Sequence, residues 1–238
     1  EMCGREWRSD GGSSDLRLLP GKTGELSRNY PFSVKPAGRV TAEALMAILR
    51  DHYEGTEYDA TGGYKTGTPN RTKFRTICTS STINAFVVSL GGKRPEPLAA
   101  AIWLAMGKPD TTVFLPLYYG VSTLPAGAGF GPATHDYGLL YKRHFEDTEV
   151  KAAKGTLLNT KLLELEKAAE TNYGPMHERL VEDLFPAEKA FIAGRPKFEK
   201  EFAALYAKNR KKAQKKLDDY VAAAFEKAAA LTAKILAE

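Results

Sequence analysis

The strongest constraint on this chain is a change of pattern at Phe74. Four short runs rich in β-branched and aromatic residues follow: Arg75–Cys78, Ala85–Leu90, Ala99–Ala105 and Thr112–Leu117. They are separated by the brief connections Thr79–Asn84, Gly91–Pro97 and Gly107–Asp110. Parallel strands need a crossover of about a dozen residues or more, so connections this short predict an antiparallel meander. Ala100-Ala101-Ile102-Trp103-Leu104 is nearly continuously apolar, which predicts a strand covered on both faces. Past Pro132 the pattern turns helical. Thr134–Ala153, Leu157–Thr171 and Pro175–Ile192 read as helices, with Pro196 in the first turn of a last, long one. Phe198, Phe202, Leu205 and Tyr206, then Leu217, Val221, Phe225, Ala228, Leu231 and Ile235, form its apolar stripe, which reads as core. The expectation is an α+β chain: a sheet-bearing part over residues 1–133 and a helical region over 134–238.

Composition excludes some functions. The 238 residues are 43% hydrophobic and 26% charged, ordinary for a globular chain of one large or two small domains. There is no run of about 18 apolar residues, so no membrane span is expected. The net charge is +5. The basic run Lys208–Lys216 has no interleaved aromatic and no binding module around it, so it reads as a solvated helix face, with no nucleic-acid partner. Cys3 and Cys78 make neither a disulfide framework nor zinc spacing and leave the compartment open. Glu1-Met2-Cys3 is neither an initiator methionine nor a signal peptide, which predicts a chain cut from a longer one.

Residues 1–39 are loop-like, with one short strand expected at Leu16–Leu19. Gly21-Lys22-Thr23 fails as a phosphate loop because Leu16 stands where a glycine is needed. Thr41 is an N-cap for a helix running to Tyr53, with Gly55 ending it in a left-handed cap. Asp51 and Glu54 then lie near the helix C-terminus, where negative charge is disfavoured. Either Arg50 and the loop lysines compensate them, or they serve a function. A polar loop with Asp59, Gly62, Gly63, Gly67 and Pro69 follows, and such loops between rigid elements favour binding residues.

Little else carries chemistry. His52, His135, His144 and His177 are scattered without metal-ligand spacing, so no metal and no cofactor are expected. No G-x-S-x-G occurs for a serine nucleophile. Cys78, on its expected strand, reads as a buried small hydrophobe. Cys3 is preceded by two residues, which argues against its acting as an N-terminal nucleophile. Asn70-Arg71-Thr72 matches a glycosylation sequon, a weak signal by itself.

One ordered set of blocks is more specific. Tyr30-Pro31-Phe32-Ser33-Val34-Lys35-Pro36 precedes Arg50-Asp51-His52-Tyr53-Glu54-Gly55-Thr56 and Asp59. Arg75-Thr76-Ile77-Cys78, Ile102-Trp103 and Phe114-Leu115-Pro116-Leu117-Tyr118-Tyr119-Gly120 follow. The set resembles the C-terminal half of the C69 family of dipeptidases, N-terminal-nucleophile hydrolases related to secernins. The resemblance covers residues 1–130; the helical tail fits it only in character.

The resemblance implies part of an αββα sandwich and a cysteine-type hydrolysis of dipeptides or short peptides. In that chemistry the first residue's thiolate attacks the peptide carbonyl and its α-amine shuttles the proton. The Cys-Thr-Thr-like strand that carries this nucleophile has no counterpart here. The nucleophilic cysteine is therefore expected upstream, in a missing N-terminal half, and this chain alone is expected to be inactive. Arg75 and Arg71 are the candidates for a substrate carboxylate, since related amide hydrolases place an arginine near the nucleophile and a guanidinium binds carboxylates bidentately. Asp51 and Glu54 complete the substrate-binding candidates, and Arg75 pairing with either as a structural ion pair is the alternative. A homo-oligomer is compatible with all of this. The rival reading is a non-catalytic, secernin-like binding or interaction module.

Overall fold

The computed structural model describes residues 35–64, 68–70, 76–125, 127–128 and 157–237. Helix α1 (Ala42–Leu49) starts at Thr41, whose hydroxyl accepts the Ala44 N–H at 3.2 Å, with Glu43 in the first turn. It ends four residues earlier than the spacing predicts, because Arg50 caps it and Tyr53 adopts a left-handed φ of 64°. Gly55 is also left-handed, at 71°, but in the turn beyond the helix.

Three strands, β1 (Ala85–Leu90), β2 (Ala100–Ala105) and β3 (Leu115–Tyr118), form an antiparallel sheet in the order β1-β2-β3. The predicted strand Arg75–Cys78 is not a strand over its described part. Thr76 donates its hydroxyl to the Cys78 carbonyl at 2.5 Å, and such side-chain-to-backbone bonds compete with a ladder. Gly120, just past β3, donates its N–H to the Pro97 carbonyl at 2.9 Å; a Cβ there would stand 2.4 Å from the Pro97 Cα, so only glycine fits.

The two faces of the sheet differ. Val87, Trp103 and Ala105 pack with Met46 of α1 and Phe114 in one core. On the other face Phe86 pairs with Leu104 and Val88 with Ile102; Phe86 is 61% exposed, and Ile102 and Leu104 are half-buried. The expectation that β2 is covered on both faces is thus met on one face only, among the described residues.

The helical region packs onto the sheet. Helix α2 (Leu158–Thr171) is followed by α3 (Tyr173–Arg179), a π-helical turn (Leu180–Leu184) and α4 (Phe185–Lys208). Pro196 lies inside α4 instead of opening the last helix. That helix, α5 (Arg210–Ala237), begins after extended Asn209, whose side-chain oxygen accepts the Lys212 N–H at 2.9 Å. The predicted stripe is core: Phe202, Leu217, Val221 and Phe225 join Leu98, Leu115 and Tyr118 of the sheet region. The basic run stays at the surface, where Lys215 pairs with Asp219 and Lys216 with Glu201. The predicted strand at 16–19 and helix at 134–153 lie outside the described residues. No helix among the described residues is long and apolar enough to cross a membrane.

Candidate functional site

A cavity of about 550 Å³ opens where α1 ends, lined by Asp51, His52 and Glu54 of the segment after α1, Tyr64, Asp110 and, from α3, Tyr173 and His177. α1 and its cap add Glu43, Met46, Ala47 and Arg50 to the lining, and α4 adds Phe185, Glu188, Lys189 and Ile192. Its size suits a small ligand.

The segment after α1 is shaped by its backbone. The left-handed turn at Tyr53 brings Glu54 back onto its own chain, where its Oε2 accepts the His52 N–H at 2.9 Å. Tyr64, also left-handed at 59°, donates its hydroxyl to Glu54 Oε1 at 3.0 Å. His52 Nδ1 lies 3.7 Å from the same oxygen. Two bulky residues in this sparsely populated region flank one carboxylate, which is how strain collects at binding sites.

Part of the cavity lining belongs to a buried polar network centred on Asp110, in the β2–β3 connection. Tyr173 donates to its Oδ2 at 2.8 Å and Asn70 Nδ2 to the same oxygen at 2.9 Å. The Cys78 thiol donates to Oδ1 at 3.2 Å, and His52 Nε2 stands 3.5 Å from Oδ2. Asn70 Oδ1 accepts from His52 Nε2 at 3.2 Å, fixing that ring nitrogen as a donor. Buried Lys108 ties this connection to α2 by pairing with Glu166 and, at 3.3 Å, with Glu170.

The electrostatics follow from these contacts. Burial works to lower the His52 imidazole, but Glu54, Asp110 and Asn70 outweigh it and raise its pKa. Burial likewise works to raise Glu54, yet hydrogen bonds from His52 and Asp51 and from backbone amides hold it down to about 2. His52 and Glu54 therefore form an imidazolium–carboxylate pair at mildly acid pH. Burial pushes the Cys78 thiol well up and the Asp110 charge pushes it further, so the sulfur is a hydrogen-bond donor and not a nucleophile. Burial lowers His177 and keeps it neutral; its ring stacks on Tyr64 at 3.8 Å and on Tyr173 at 5.8 Å.

His52, Cys78 and Asp110 offer ligand atoms within 4.8 Å of one another, a set chemically able to hold a transition-metal ion. As folded, these groups serve as hydrogen-bond partners of one another and of Tyr173 and Asn70.

Of the predicted substrate-binding residues, Asp51 and Glu54 both line the cavity; Arg71 and Arg75 lie outside the described residues. Sequence reasoning missed Asp110, Tyr173 and Asn70 as site residues. Asp110 was read only as the end of a strand connection. Tyr173 and His177, four apart on a helix, were the available signal for a shared helix face.

Known proteins resemble the same region. A Salmonella dublin protein named as a probable dipeptidase is 26% identical over 118 residues, 50% of this chain and 25% of that protein. Probable dipeptidase A of Streptococcus pyogenes serotype M1 is 32% identical over 92 residues, 38% of this chain and 19% of its own length. A dipeptidase of Bifidobacterium longum is 30% identical over 100 residues, 42% of this chain and 19% of its own length. The chain thus spans a quarter or less of the length of these curated relatives. The family model described as peptidase family C69 matches residues 16–143, which include the segment after α1, the whole sheet and Asp110, and the chain belongs to that family.

Proposed function

We propose that this chain is the pocket-forming part of a cysteine-type dipeptidase that hydrolyses short peptides. The observation that carries the reading is the 550 Å³ cavity, with Asp51, Glu54 and Asp110 in its wall, all three inside the stretch that matches the family. The nucleophilic cysteine belongs to a part of the relatives' length that this chain does not match. Cys78 does not fill that role: it is fully buried and its thiol is held protonated. The open apolar face of β1 and β2, with Phe86 and Val88 outward, suits a second sheet layer packed against it, as an αββα sandwich requires. Arg71 and Arg75 are the partners for the substrate carboxylate in this reading.

The test uses the natural protein that carries this chain. It should hydrolyse dipeptides, keep that activity in Cys3→Ala and Cys78→Ala, and lose it on alkylation of a cysteine outside these 238 residues, located by mass spectrometry. Activity abolished by Cys78→Ala or Cys3→Ala, with the fold intact, would overturn the assignment. Dipeptide binding without turnover would favour the non-catalytic binding module instead.

A further inference from the structure

We propose that His177 binds the substrate, its Nε2–H donating a hydrogen bond to a backbone oxygen of the peptide held in the cavity. This rests on the dipeptidase reading above and adds a binding residue from α3, beyond the residues 16–143 that match the family.

The first observation is that His177 lines the cavity with its polar atoms unused. Its Nδ1 is buried without a hydrogen-bond partner, which leaves Nε2 as the ring nitrogen open to the cavity. The other polar groups of the lining are accounted for. Arg50 and Glu188 hold each other, Glu54 accepts from His52 and Tyr64, and Asp110 accepts from Tyr173. Asp51 is bonded to Glu54, and Glu43 and Lys189 are exposed charges of opposite sign. A neutral imidazole carries one N–H. On Nδ1 it would be a buried donor without an acceptor, the rarer kind of orphan in folded proteins, so the proton belongs on Nε2. Burial, with His52 acting in the same direction, keeps the ring neutral against the nearby Asp110, Glu54 and Glu178 carboxylates.

The second observation is that the ring is held in place. It stacks on Tyr64 at 3.8 Å and 8° and on Tyr173 at 5.8 Å and 16°. The Tyr64 hydroxyl is fixed on Glu54 and the Tyr173 hydroxyl on Asp110. A phenylalanine would stack as well and orphan no nitrogen, so stacking does not account for an imidazole here. A donor whose orientation is set before the ligand arrives is what a binding site needs.

The third is the helix that carries it. α3 runs through the π-helical turn Leu180–Leu184 into α4. In a regular α-helix, at roughly 3.6 residues per turn, position 185 would stand about 80° round the axis from position 177. A π turn holds more residues and takes up that excess, so His177 lines the same cavity as Phe185, Glu188 and Ile192. Single π turns of this kind are frequent at functional sites.

The experiment uses the natural protein that carries this chain, as wild type, as His177→Phe, which keeps the stack, and as His177→Gln, which returns an N–H donor. Steady-state kinetics are measured on Leu-Ala and on its C-terminal amide. His177→Phe should lose about three- to tenfold of kcat/KM on Leu-Ala if the acceptor is the peptide carbonyl, and about ten- to a hundredfold if it is the terminal carboxylate. The loss should fall mainly on KM. The amide tells the two apart, with the same loss in the first case and a smaller one in the second. His177→Gln should recover part of either loss. Kinetics of His177→Phe equal to wild type on both peptides overturn the proposal, and so does an equal loss in His177→Phe and His177→Gln. If His177→Phe fails to fold, long-range proton–nitrogen NMR spectra of wild type in excess Leu-Ala decide: the His177 Nε2 resonance must move, and an unmoved resonance overturns the proposal. Wild type without turnover on either peptide sinks the dipeptidase reading separately. Calorimetric titration of Leu-Ala then decides for His177: weaker binding in His177→Phe upholds the site, and equal or absent binding overturns it.

Discussion

Arg50 and Glu188, 138 residues apart, are joined by a bidentate ion pair, Nη1 to Oε1 at 2.8 Å and Nη2 to Oε2 at 2.7 Å. The guanidinium also donates to the Pro109 and Thr112 carbonyls and lies 5.0 and 4.8 Å from the ring centroids of Phe114 and Phe185. Glu188 accepts the Phe114 N–H at 2.6 Å as well. One pair thereby fixes the end of α1, the strand connection carrying Asp110, and α4, the three elements around the cavity.

Arg50→Ala should cost about 3–5 kcal/mol, because it leaves a buried, uncompensated carboxylate. Arg50→Lys should recover little, since an ammonium cannot reproduce the planar fork or the stacking on both rings. Arg50→Ala combined with Glu188→Gln should be more stable than Arg50→Ala alone, as the amide oxygen still accepts the Phe114 N–H. Urea unfolding measures all three; an Arg50→Lys midpoint equal to wild type would contradict the geometric role.

The His52–Glu54 pair predicts a stability optimum at mildly acid pH. Glu54 is held at about 2 against an ordinary 4.5, so its contribution is complete above pH 4.5 and is lost as pH falls through about 2. His52 is raised above its ordinary 6.5, so its contribution is complete below pH 6.5 and is lost as pH rises through the raised value. Both are present in full between pH 4.5 and 6.5. His177, held neutral, gives the opposite slope below 6.5, so the pair is read as a difference between proteins. In thermal melts, Glu54→Gln should flatten the acid limb and His52→Gln the alkaline limb. Unchanged limbs in both would refute the pairing.

Cys78 should be chemically silent in the folded chain. Its side chain is fully buried, and burial together with Asp110 keeps the thiol protonated. In a Cys3→Ala background, iodoacetamide should not label the native protein on the timescale that labels it in denaturant. Cys78→Ser should be tolerated better than Cys78→Val, because the hydroxyl still donates to Asp110 and the branched side chain leaves that acceptor one donor short. Rapid native labelling would mean that the network around Asp110 is open.

Much of the fold was determined locally. The N-cap at Thr41, the alternation in Ala85–Leu90, the short strand connections and the apolar stripe through Leu217, Val221 and Phe225 each act over a few residues, and each is legible in the order of side chains. The family blocks were legible in the same way, and they contain Asp51 and Glu54, which line the cavity. What sequence order could not determine depended on distant partners. Helix α1 stops short because Arg50 is held by residues 59 to 138 positions away. Thr76–Cys78 leaves the sheet because Cys78 turns to Asp110 32 positions on. Pro196 opens no helix, because neighbours packed around α4 hold the helix through it. Asp110 itself, an ordinary turn residue in one dimension, becomes the centre of the site only when Asn70, Cys78 and Tyr173 converge on it from three separate segments. A lone pair and its donors recognise distance in space, not in sequence, and only the packing of the helices against the sheet brings them within 3.2 Å of that carboxylate.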